Sequence, residues 1–164
     1  MTAATRPRRR PLGAANRRLL AEALPALVLA SLAVKLAPFR RVAAWAGGRG
    51  GDGGALMDEA TMRKARWAVE AWARRVPWRA VCFQKGLALH WMLRRRGVAS
   101  ALHYGVAKDE GAGLKAHVWV SVAGRPVIGG EGADGFACLA TFPPQERGAS
   151  SQRAANTLSA DDFS

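Results

Sequence analysis

Hydrophobic residues recur at helical spacing in three stretches of the chain and alternate in the stretches that follow. The first spans residues 19–45. Its apolar run from Ala23 to Val34, bracketed by Glu22 and Lys35, is short for a bilayer crossing. Basic residues on both sides argue against a signal peptide. The pattern predicts a helix packed on the core, with a membrane-surface helix as the alternative. Pro25 fits a first turn or a kink, and Pro38 ends the helix.

A second helix is predicted over Asp58–Arg75, capped by Asp58 or Thr61, with Ala65, Val69, Trp72 and Val76 on its buried stripe. Trp67 and Trp72 read as core at this spacing. The third begins near Cys82, after Pro77 and Trp78, and stops at Gly97 behind three arginines. Ala101–Ala107 then alternates, with Leu102, Tyr104 and Val106 on one face and His103 on the other. Lys108–Gly113 is a polar turn. Ala116–Val122 is a strand that turns at Ala123-Gly124 into a returning strand. Helices first and an antiparallel sheet after make an α+β layout.

The 164 residues suit one domain with a real core. A formal net charge of +13, from 25 basic and 12 acidic residues, is concentrated at the start. Residues 1–18 hold six arginines and no acid, which reads as a disordered basic arm. No aromatic pattern accompanies them, so no specific nucleic-acid partner is expected. With the apolar helix they allow weak contact with a membrane surface. Residues 46–57 read as a Gly-rich linker, 58–142 as the catalytic domain and 143–164 as a disordered tail. Two cysteines without a signal peptide suit a reducing cytoplasm.

Cys82 falls at a helix N-terminus, where unpaired N–H groups and the helix dipole stabilise a thiolate nucleophile. His117 opens a strand, where its side chain can reach the end of a neighbouring helix. It is the candidate base that takes the thiol proton and returns it to a leaving amine. His90 lies two helical turns beyond Cys82, too far for direct proton transfer, and reads as a surface or packing residue. His103 reads as core or rim packing and Cys138 as a buried spectator. No ligand pair has metal spacing, and no Gly-rich loop leads to Lys-Ser/Thr, so neither metal, ATP nor another cofactor is expected. The Cys82 N–H is the natural oxyanion donor; Gln84 or the Trp78–Arg79 segment is a candidate second.

The order helix-start Cys, strand-start His is that of papain-like and transglutaminase-like cysteine enzymes. Residues from about Leu19 to Phe142 resemble the transglutaminase-like leader peptidase of lasso-peptide biosynthesis. The matching pieces are LAPFRR, CFQKGLALHWMLRRRGV, LHYGVAK and KAHVWVSVAGRPVIGG. The resemblance implies a papain/transglutaminase-like fold, with Cys82 as nucleophile and His117 as general base. It also implies a precursor peptide as substrate, a separate leader-recognition protein and an ATP-dependent lasso cyclase as partners. The family's acid falls near the end of the second hairpin strand. A two-residue turn at Ala123-Gly124 pairs Ser121 with Pro126 and sets His117 opposite Gly130, where no acid stands. Glu131, or else Asp134, is the candidate third residue; a backbone carbonyl or water is the uncharged alternative. Two other functions fit the same residues: a non-catalytic basic binding module, and an acyltransferase that uses an amine in place of water.

Overall fold

The computed structural model describes residues 13–48, 55, 57–109, 111 and 113–144. Four helices precede a four-stranded antiparallel sheet. The helices are α1 (Ala14–Leu36), α2 (Phe39–Gly47), α3 (Glu59–Ala73) and α4 (Cys82–Arg94). The strands are β1 (Ser100–Asp109), β2 (Gly113–Val122), β3 (Arg125–Ile128) and β4 (Ala137–Phe142), in the order β3-β2-β1-β4.

α1 contributes Leu19, Ala23, Leu27, Ala30 and Ala33 to the core, one stripe at helical spacing. It packs on α3 and α4. The 19–45 helix of the sequence pattern is in fact two. α1 ends at Leu36, and Pro38 sits at the N-cap of α2, where a fixed φ and a missing N–H cost nothing. α1 also starts earlier than expected, so Arg17 and Arg18 are helical instead of part of a loose arm. Residues 1–12 of that arm, most of the expected linker and tail residues 145–164 lie outside the described residues.

α3 is capped by Asp58, whose carboxylate accepts from the Thr61 N–H at 2.8 Å and from its hydroxyl. Those hydrogen bonds hold the Asp58 carboxyl below its usual value. Trp72 packs against the core and donates from Nε1 to the Leu20 carbonyl at 2.9 Å, tying α3 to α1. Trp67, expected in the core, is exposed, because it lies outside the stripe made by Ala65, Ala68 and Val69.

α4 lies against β1 and β2. Gly86 makes this contact close: a Cβ there would stand 2.9 Å from Val118 Cγ1 and 3.4 Å from Leu102 Cδ1. Val118 and Val120 therefore form the helix side of β2, and alternation puts His117, Trp119 and Ser121 on the other side. In β1 the same rule sets Leu102 inward and His103 outward. The β2–β3 turn is at Ala123-Gly124, both at positive φ (48° and 76°), which gives the twist a two-residue hairpin needs. β4 was not evident in the sequence. Its burial runs exposed to intermediate with no alternation, so no period-2 signal marks it.

Candidate active site

Cys82 is the first residue of α4, with Val81 as N-cap. Gln84 Oε1 accepts the Val81 N–H at 2.6 Å, half of a capping box. That fixes the turn that presents the thiol, and it commits the Gln84 carbonyl oxygen to the helix start. Trp78 Nε1 donates to Ser31 Oγ at 3.0 Å, so its indole anchors the preceding loop to α1 and is not directed at an oxyanion. The Cys82 N–H remains among the first-turn donors that helical bonding leaves open.

The axial position of Cys82 follows from two contacts. His90 on α4 meets Ser100, the partner of Val122 in the sheet. One turn earlier, Gly86 meets Val118, Val120 and Leu102. A helical turn and two strand residues cover about the same length, roughly 6 Å. Cys82, one further turn back, thus comes level with about Val118 in the middle of β2, while His117, mid-strand rather than at the strand start, lies on the face of the sheet away from α4. The thiol, half-buried, makes no hydrogen bond among the described residues.

His117 Nε2 is 2.7 Å from the Gly129 carbonyl oxygen. A carbonyl only accepts, so Nε2 carries the proton and neutral His117 keeps its lone pair on Nδ1. Nδ1 makes no hydrogen bond among the described residues. The orienting group is thus a backbone carbonyl; neither carboxylate considered from the sequence takes that place. Glu131 instead accepts from Arg66 of α3 at 2.7 Å. That bond holds its carboxyl below the usual range, with the field of His117 as the smallest contribution. Asp134 is exposed in the short 3-10 turn Ala133–Gly135.

Pairing between β2 and β3 does not run on to His117. Ser121 does face Pro126, but between Val120 and Ser121 the register slips, so Val120 faces Ile128. β3 then ends, and Gly129 turns at φ +72° with its Cα against β2. A Cβ at this position would come within 2.6 Å of the Val118 carbonyl oxygen. An aspartate cannot stand here without moving the backbone. Gly129→Ala is expected to cost about 1–3 kcal/mol of stability from the left-handed φ alone, and more from the clash. A urea unfolding midpoint that stays at the wild-type value would contradict this.

On the sheet face away from α4, the Trp119 ring stacks on His103 (centroids 5.2 Å, 14°) and lies 6.1 Å from His117. Gly105 permits it, since a Cβ there would meet Trp119 Cζ3 at 2.8 Å. The Phe136 ring lies 5.0 Å from His117, tilted by 37°. His103 shares hydrogen bonds with Ser121 Oγ (2.7 Å) and Thr141 Oγ1 (3.1 Å), and burial lowers its pKa. Cys138, read from the sequence as buried, is exposed. Its sulfur is 4.0 Å from His103 Nδ1, which the unpredicted β4 brings there. Gly105→Ala is expected to displace the Trp119 ring and shift its emission, read in a variant with the other tryptophans replaced by phenylalanine. An unchanged spectrum would mean the ring does not rest on this glycine.

His90, expected to pack or to lie at the helix surface, is fully buried. Nε2–H donates to the Ala46 carbonyl (2.9 Å), so Nδ1 accepts from Ser100 Oγ (3.0 Å). Desolvation pushes its pKa down to about 4. It serves the core and is not part of the site.

Residues 26–141 match the Transglutaminase-like superfamily. The chain belongs to this superfamily. The match covers both Cys82 and His117 and nearly all the described elements. Transglutaminase-like proteins are usually enzymes, cysteine proteases or acyltransferases. No curated protein and no solved structure shows significant similarity to the chain. Among the described residues of this transglutaminase-like domain, no group of three or more His, Cys, Asp or Glu could hold a metal ion.

Proposed function

We propose that this protein is a cysteine endopeptidase that removes the leader from a ribosomally made lasso precursor. The observation that carries the chemistry is the His117 Nε2–Gly129 hydrogen bond. It leaves the lone pair on Nδ1 to take a proton, and the mechanism requires Cys82, at the start of α4, to reach it. The choice of precursor rests on the resemblance of the segments around Cys82, Tyr104 and His117.

Cys82 Sγ passes its proton to His117 Nδ1 and attacks the carbonyl at the leader–core junction. Negative charge moves to the carbonyl oxygen, where the Cys82 N–H donates. As the tetrahedral species collapses, the C–N bond breaks and Nδ1 returns the proton to the leaving amine. Water, deprotonated by the same nitrogen, then cleaves the thioester and frees Cys82. Throughout, the Gly129 carbonyl holds the ring and its dipole favours the imidazolium. A dipole does so less strongly than a full carboxylate charge, so turnover is slower than with an acid in that place. No thiol–imidazole hydrogen bond is present among the described residues, and the mechanism requires one to form when substrate binds.

The leader arrives on a separate recognition protein, and the freed core passes to an ATP-dependent cyclase. Purified protein, precursor and recognition protein together should yield free leader ending in a carboxyl group. An amine adduct at that end instead makes the protein an acyltransferase using the same thioester. An intact precursor, with the recognition protein shown to bind it, leaves only a binding role.

A further inference from the structure

α1 is apolar on two faces, and only one of them is used by the fold. Leu19, Ala23, Leu27, Ala30 and Ala33 face α3 and α4. On the opposite side Leu29, Leu32 and Leu36 stand 59%, 47% and 76% exposed, with Pro25 exposed one turn before Leu29. Positions 25, 29, 32 and 36 are one line at helical spacing. Leu29 and Pro25 also border a groove of about 350 Å³ with Trp45 and Trp91, and Trp45 is 52% exposed. A monomer rarely leaves such a run of large apolar side chains in water without a use for it.

The charges around this stripe have one sign. Arg18 lies in line with it at one end, and exposed Lys35, Arg40 and Arg41 lie about the other. Residues 1–51 contain ten basic residues and a single acid, Glu22. That acid is already paired, at 2.8 Å with Arg96 and 3.9 Å with Arg95. The segment therefore offers no free carboxylate to repel a phosphate. α1 is 23 residues long, with a mean hydropathy of 1.9 over its most apolar stretch, enough by length and composition to cross a bilayer. Its inner stripe is occupied by α3 and α4, so only the outer stripe is available to lipid.

We propose that this face docks on the surface of an anionic lipid membrane, with α1 lying in the interfacial plane. The leucines and Trp45 enter the headgroup–acyl boundary, and Lys35, Arg40 and Arg41 meet lipid phosphates. This inference is independent of the reaction catalysed. A basic rim around leucines suits a phosphate-bearing apolar phase better than a second copy of this chain, whose matching face would repel it.

The test is sedimentation of the full-length protein with vesicles of phosphatidylcholine alone or mixed with phosphatidylglycerol. The protein should pellet with the mixed vesicles and roughly tenfold less with the neutral ones, and high salt should release it. Leu32→Glu/Leu36→Glu, both at exposed positions, should weaken binding roughly tenfold or more, and Arg40→Glu/Arg41→Glu should do so through charge alone. Leu114→Glu, at an exposed leucine of β2, should bind as wild type. Circular dichroism melts check that each variant is folded. Wild-type protein that stays in the supernatant overturns the proposal, as does undiminished binding by both double variants. Dimerisation abolished by Leu32→Glu/Leu36→Glu, without vesicle binding, also overturns it and assigns the face to a second copy.

Discussion

Cys82→Ala is expected to release no detectable leader from the precursor, while Cys138→Ser cleaves within about twofold of wild type. The expectation rests on role. Without the sulfur there is no thioester, and nothing else at the start of α4 can replace it: Phe83 and Gln84 follow, and Gln84 is tied to the Val81 N–H. Cys138 has its own imidazole neighbour in His103, yet it sits on β4, on the far side of β1 from β2. His117→Ala should fall between the two, retaining slow cleavage that rises with pH as water takes the thiol proton. General-base removal of this kind typically lowers the rate about 10²–10⁴-fold. Rates are read by mass spectrometry of the released leader. Cleavage by Cys82→Ala at the wild-type rate would remove Cys82 from the mechanism.

Acid should destabilise the fold through His90. Its folded pKa is depressed to about 4 by burial, against about 6.5 for an unfolded chain. Above pH 6.5 both states are neutral there and the full contribution is present. Between that value and about 4 the unfolded chain binds a proton that the folded chain refuses, so stability falls as pH drops across this window. The total is on the order of 3 kcal/mol, a large part of a small domain's stability. Protonation is resisted by geometry as well as burial. Nδ1 already accepts from Ser100, and Arg94 and His103 add unfavourable fields. His90→Gln can keep a donor toward Ala46 and an acceptor toward Ser100 without the charge. Urea midpoints from pH 7.5 to 4.5 should therefore fall less steeply in His90→Gln than in wild type. Parallel slopes would mean His90 does not carry the acid sensitivity.

The helix of Cys82 and the strand of His117 were legible because each has a clean period and a marked end. Gly97 closes the first at φ +75°, and the Ala123-Gly124 turn closes the second. The orienter of His117 was not, because it depends on where β3 stops and how Gly129 turns. β3 ends at Ile128 before pairing reaches His117, and the carbonyl of Gly129, turned at positive φ and carrying no sequence signature, holds the ring. Glu131 looked available because Arg66, 65 residues earlier, cannot be seen approaching it in the sequence. Cys138 was misjudged with β4, since composition favours burial for cysteine and the strand showed no alternation. α1 gave both of its possible readings in the sequence. Its inner stripe is core and its outer stripe is exposed leucine, and periodicity alone cannot separate a helix used on one face from one used on two.

Alkylation of Cys82 tests most directly whether thiol and imidazole act together, since it needs neither precursor nor partner. In a Cys138→Ser background Cys82 is the last cysteine in the chain. Its rate with iodoacetamide near neutral pH should drop roughly tenfold or more when His117 is replaced by alanine, the pair being what supplies the reactive thiolate. Equal rates with and without the imidazole would contradict the pairing on which the peptidase reading depends.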